Sequence, residues 1–241
     1  MLKAVFLDFG NTLVDETRFI PTALKGVVSF VRQAAGLSDD ENILLRELTT
    51  TSADSSIEQK AREDIRTREY GVRVSRFVNF ARKYDLTIND QFIGGMLNSY
   101  DQAAASAGLI EGAGEAVKKL SNSYKLAIVS NGYAGFVYST LNKHNLLGCF
   151  SAIVVSQEVN VEKPDRKMFE LAADRLDVNL KNVLMVGDSF EADVAGSKKW
   201  GMTNCWINVN NASIPDKSVC DFVVPRLADL PELLARNQNP A

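Results

Sequence analysis

Apolar residues along this chain keep two different rhythms. From about Thr17 to Gly108 they recur at helical spacing, as in Leu24, Val27, Val28 and Val31, at i, i+3, i+4 and i+7. Pro21 precedes this stripe as an early-turn proline. Val74, Phe77, Val78 and Ala81 form another stripe, and Ile93, Met96, Leu97 and Tyr100 a third. Ser38 with Glu41, and Ser55 with Glu58, have capping-box spacing. The stretch predicts four or five helices and no strand.

The second rhythm frames the first. Ala4–Leu7 is a short apolar run ending at Asp8, followed by a turn with Gly10 and Asn11. After Gly112, amphipathic helical patterns alternate with apolar runs at Lys125–Val129, Ser151–Val155, Val183–Val186, Cys205–Ile207 and Phe222–Val224. A last helix is expected from near Leu227 to near Arg236. Strands that are apolar throughout, separated by helices, predict a parallel sheet covered on both faces. The expected fold class is therefore α/β, a doubly wound parallel sheet with an inserted all-helical domain. Residues 1–15 plus 110–241 make the α/β core and 16–109 the insertion.

Composition narrows the function. The 241 residues are 46% hydrophobic and 24% charged, enough for a sizeable core. The net charge of −3, without runs of one sign, argues against a nucleic-acid groove or a membrane-surface footprint. A small diffusible substrate is the expected partner. Cys149, Cys205 and Cys220 lack disulfide or metal-ligand spacing and read as reduced thiols. With no signal-like N-terminus and no apolar run long enough to span a bilayer, a soluble, cytoplasmic protein is expected.

The polar residues stand where such sheets bind ligands. Asp8, Ser130 and Asp188 each follow the last apolar residue of a strand, so they should gather at the carboxyl edge. Lys163, in the loop 159–165, can reach the same edge. Two carboxylates with few other ligands suit Mg²⁺, which keeps several waters and takes one or two carboxylates plus a phosphate oxygen. A lysine and a serine beside it would hold a tetrahedral anion. His144 is the only histidine, which argues against zinc and against a Ser-His-Asp hydrolase.

Four segments carry a family resemblance: Asp8-Phe-Gly-Asn-Thr-Leu13, Val129-Ser-Asn-Gly132, Val161-Glu-Lys-Pro-Asp165 and Val186-Gly-Asp-Ser-Phe-Glu-Ala-Asp193. In order and spacing they resemble the four motifs of the haloacid dehalogenase-like hydrolase superfamily. The helical stretch between the first two resembles that family's inserted cap. The resemblance implies that Asp8 is the nucleophile and that Asp8, the Gly10 carbonyl and Asp188 bind Mg²⁺, with Asp193 organising metal-bound water. It implies that Ser130, Asn131 and Lys163 bind the substrate's phosphoryl group, Lys163 also orienting Asp8. The segment just after Thr12 would be a flexible flap.

One position departs from the phosphatases of that family, which carry a second aspartate two residues after the nucleophile. Here it is Gly10. The missing carboxyl would protonate the leaving oxygen and then activate water, a role typically worth ~10²–10⁴-fold. The expected function is a Mg²⁺-dependent hydrolase of small phosphorylated metabolites, slow on poor leaving groups. A second reading is a catalytically impaired phosphate-ligand or partner-binding protein of the same fold. The family's 2-haloacid dehalogenases also lack the second aspartate, but their fourth motif differs from Gly187-Asp188…Asp193. Its phosphonatases use a cap lysine, for which Lys25 and Lys60 are nominal candidates. In the cap, Arg62, Arg66 and Arg68 could meet an anion or form a solvated helix face.

Overall fold

The computed structural model describes residues 1–55, 65–106 and 108–238, with the backbone alone for 65–70 and 238. Lys60, Arg62, the side chains of Arg66 and Arg68, and the Ser55–Glu58 box lie outside the described residues. The chain forms two compact units. One is Met1–Asp15, Leu109–Gly132 and Leu141–Ala241; the other is Glu16–Gly108 with Tyr133–Thr140. The short segment Tyr133–Thr140, which the sequence reading placed in the α/β core, groups with the helical unit.

The α/β unit is built on six parallel strands in the order β3-β2-β1-β4-β5-β6. They are β1 (Ala4–Leu7), β2 (Lys125–Ser130), β3 (Ala152–Val155), β4 (Val183–Gly187), β5 (Thr203–Ile207) and β6 (Phe222–Val224). β1 and β4 are fully buried, as strands covered on both faces must be. Alternation sorts their side chains: Phe6, Ala127, Val129, Val154 and Met185 share one core with Met168, Phe169 and Ala172 of the helix Arg166–Leu176. The strand order reverses at β1, between β2 and β4. In such sheets the loops leaving the carboxyl ends at that point form a crevice.

The helical unit contains α1 (Glu16–Ala35), α2 (Glu41–Thr50), α3 (Ile65–Lys83) and α4 (Asp90–Ser106), and no strand among its described residues. Leu24, Val27, Val28 and Val31 are buried, as are Ile93, Met96, Leu97 and Tyr100, whereas of Val74, Phe77, Val78 and Ala81 only Phe77 and Ala81 are, with Val74 and Val78 half-buried. Two local signals differ from the expectation. Pro21 lies inside α1, which begins at Glu16, and α2 is capped by Asp40, whose carboxylate accepts from the Asn42 and Ile43 amides, rather than by Ser38. Asp40 serves because its short carboxylate sits directly before the first orphan N–H groups. No described helix is long and apolar enough to cross a membrane.

Candidate active site

Register places the polar residues at one edge. Leu7 pairs with Ile128 on one side and Val186 on the other, and the Asp8 amide continues the ladder to the Val186 carbonyl at 2.9 Å. Asp8 therefore stands level with Val129 and Gly187, with Ser130 and Asp188 one residue further along the flanking strands. Ser130 is buried and Asp188 half-buried.

Lys163 enters from the loop after β3. Its ammonium donates to Asp8 Oδ1 at 2.6 Å and to Asp193 Oδ1 at 2.7 Å, with all three side chains at most 10% exposed. Such placement needs a fixed backbone, and Asn131 supplies it. The Asn131 carboxamide accepts from the Lys163 amide at 2.7 Å and donates to the Lys163 carbonyl at 2.9 Å. Expected among the phosphoryl-binding residues, Asn131 is seen here holding the lysine's loop.

Asp193 owes its position to helix capping and to one glycine. After β4 the chain enters a π-helical turn, Phe190–Ala195, capped by the Ser189 hydroxyl, which accepts from the Ala192 amide. In return Asp193 Oδ2 accepts from the Ser189 amide at 3.1 Å, a reciprocal cap stretched by the wider turn. A Cβ at Gly187 would lie 2.1 Å from Asp193 Oδ2, so only glycine leaves room for this carboxylate against the strand end. Thr12 adds a donor that the sequence reading did not single out, its hydroxyl lying 3.3 Å from Asp8 Oδ2. Asn11, held in the left-handed region at φ 49°, hydrogen-bonds the Asp188 side chain.

The segment after Thr12 is the one expected as a flap. Leu13 and Val14 are buried, their amides reach the Phe9 carbonyl, and Gly10 and Val14 form a bridge. Lys25 is exposed on α1.

Oxygen atoms of Asp8, Asp188 and Asp193 lie within 4.8 Å of one another. Three carboxylates share one lysine, so the cluster carries an excess of negative charge. Its electrostatics show this. Burial drives the Asp193 carboxyl up to about 7, and the Asp8 charge adds to the rise against the pull of Lys163. Asp188 is raised by burial and by Asp8. Lys163, despite burial, is raised by its two carboxylates and stays charged. Such a donor set suits a hard, oxygen-loving cation; among the described residues no thiolate or imidazole accompanies it to favour a softer metal.

A switch-point cluster of strand-end carboxylates and a buried lysine, on a Rossmann-like core with a helical cap, defines a class of hydrolase. The chain belongs to the haloacid dehalogenase-like hydrolases, whose family model matches residues 2–201. It is 28% identical over 166 residues to the pyrimidine 5′-nucleotidase YjjG of Escherichia coli, covering 67% of this chain and 71% of that protein. It is 24% identical over 242 residues to a glyceraldehyde 3-phosphate phosphatase of Pyrococcus furiosus, covering 98% and 94%. A 2-haloacid dehalogenase from Pseudomonas syringae pv. Tomato DC3000 shares the fold with a TM-score of 0.75 at 21% identity, covering 98% of this chain and 99% of that one.

Proposed function

We infer that this chain is a Mg²⁺-dependent phosphatase of small phosphorylated metabolites, working through an aspartyl-phosphate on Asp8. The observation that carries the reading is the Lys163 ammonium bridging Asp8 and Asp193 inside a three-carboxylate cluster. Lys163 donates to one Asp8 oxygen and so aims the carboxylate that would act as the nucleophile. Relatives named for phosphatase activity on a triose phosphate and for nucleotidase activity support this substrate class.

In the proposed reaction an Asp8 carboxylate oxygen attacks phosphorus, and the bond from phosphorus to the leaving oxygen breaks. The leaving oxygen takes a proton from water. A second water then attacks the aspartyl-phosphate, restoring the Asp8 carboxylate and releasing inorganic phosphate. Lys163 and the Ser130 hydroxyl steady charge on the transferring group. Asp8, Asp188 and the Gly10 carbonyl would hold Mg²⁺, with Asp193 ordering its water; the ion supplies neutralisation of phosphoryl charge. The helical cap would select the substrate. Because residue 10 has no carboxyl, no side chain there protonates the leaving oxygen.

Phosphate release from a panel of triose phosphates, nucleoside monophosphates, sugar phosphates and p-nitrophenyl phosphate, with Mg²⁺ and with chelator, tests the proposal. Mg²⁺-dependent release that falls steeply as the leaving group becomes more basic is expected, and Gly10→Asp should flatten that dependence. Saturable phosphate binding without turnover would favour the non-catalytic reading. Chloride release from a 2-haloacid in chelator would favour a dehalogenase.

A further inference from the structure

The chain has two tryptophans, and both serve the same edge of the sheet. Trp200 Nε1 donates to the Pro164 carbonyl at 2.9 Å, and Trp206 Nε1 donates to the Asp188 carbonyl at 2.8 Å. One acceptor belongs to the residue after Lys163, the other to a metal-ligand candidate itself. Both distances are those of full N–H···O bonds. Each tryptophan is a large rigid plane with a single donor on its edge, so once the ring is packed the donor's position is fixed.

The surroundings of the two rings differ, Trp206 being buried and Trp200 half-buried. Trp206 is buried on β5, paired in register with Gly187, and Phe190 meets it edge-on at 5.3 Å and 76°. Its indole therefore stands beside the end of β4, where the chain turns outward at Asp188. Trp200 follows the short helix Gly196–Lys199, with the Lys199 ammonium 4.9 Å and the Arg166 guanidinium 5.6 Å from its ring. That helix lies flush on the lysine loop, since a Cβ at Gly196 would come 2.5 Å from Pro164 Cβ.

The loop is thus held from two sides: Asn131 grips the Lys163 amide and carbonyl, and Trp200 grips the next carbonyl. A lysine stem has four rotatable carbons, so its ammonium holds a place only when its backbone does. We propose that Trp200 and Trp206 are positioning residues with separate tasks. Trp200 sets the Lys163 ammonium against Asp8 for the chemical step, and Trp206 sets the Asp188 carboxylate for the cation. The proposal rests on the functional reading above.

Trp200→Phe and Trp206→Phe keep an aromatic ring and remove the donor. Calorimetric titration of metal-free protein with Mg²⁺ should give a dissociation constant about 10–100-fold weaker in Trp206→Phe, the usual cost of losing an outer support of a metal ligand. Trp200→Phe should bind Mg²⁺ within about twofold of the parent and instead lower kcat on p-nitrophenyl phosphate about tenfold with little change in KM. Unchanged Mg²⁺ affinity in Trp206→Phe, or the same profile in both variants, overturns the division of tasks. If a variant fails to fold, indole N–H resonances of the parent decide: Mg²⁺ should shift the Trp206 signal more than the Trp200 signal, and equal shifts or none count against the proposal. The Mg²⁺ isotherm needs no turnover, so a protein that binds the ion as described yet hydrolyses no phosphate ester refutes the enzymatic reading and leaves Trp206 standing.

Discussion

Each unit holds an ion cluster, half-buried in the helical unit and buried in the α/β unit. In the helical unit the Arg73 guanidinium pairs with Asp101 at 3.1 Å and lies over the rings of Tyr100 and Tyr133, 4.0 and 4.8 Å from their centroids. Tyr133 also hydrogen-bonds Asp101. Here the guanidinium meets a carboxylate and two aromatic faces, and the side chains keep partial contact with solvent. In the α/β unit one ammonium meets two carboxylates in near-complete burial, and a third stands within 4.8 Å. A buried cluster with more carboxylates than cations favours the approach of a further positive charge, which is the pattern of a site rather than a strut.

The contrast can be broken most decisively at Asp8. Asp8→Asn removes the proposed nucleophile but leaves a side chain of the same size, and turnover of p-nitrophenyl phosphate should fall by about 10⁴-fold or more. Arg73→Met should leave the site's own residues intact and cost far less activity.

Removing the cation from each cluster comes next. Lys163→Met strands two buried carboxylates and should destabilise the metal-free protein by about 3–5 kcal/mol in urea unfolding. Mg²⁺ should recover part of that loss.

A third effect follows from the raised Asp193 carboxyl. The folded state holds its proton up to about 7, whereas an ordinary aspartate releases it near 3.8. Its contribution to stability is complete below that ordinary value and is lost as the pH rises through about 7. Metal-free protein should therefore lose stability across this window, and Asp193→Asn should flatten the slope. Urea midpoints measured against pH in chelator would check both.

Arg73→Met is expected to have the smallest effect, about 1–3 kcal/mol, because its partner is still reached by water and by the Tyr133 hydroxyl. A loss as large as that of Lys163→Met would erase the distinction between the two clusters.

The four motif segments could be read because strand ends announce themselves. An apolar run stops at Asp8, Ser130 or Asp188, and the parallel topology sends all such ends to one edge. Asp193 was legible for a related reason, five residues past Asp188 at the head of the next helix. Arg73, Asp101 and Tyr133 could not be found that way. They come from α3, α4 and the segment after β2, and helical periodicity marks Tyr100 as buried without showing which polar neighbours its ring will meet. The Ser38 cap misled because several residues before α2 can cap it, and only the backbone geometry at Asp40 selects one.

What the amino-acid order determined by itself was the layout: short strands buried on both faces, a helical insertion after the first, and chemistry at the strand ends. These follow from local periodicity and from the one edge that a parallel sheet offers its loops. Only the folded chain decided which group supports which. That Asn131 holds the Lys163 backbone and that both indole N–H groups reach carbonyls of the site depend on distances of about 3 Å between segments separated in sequence. A hydrogen bond is sensitive at that scale, and no spacing rule along the chain reaches it.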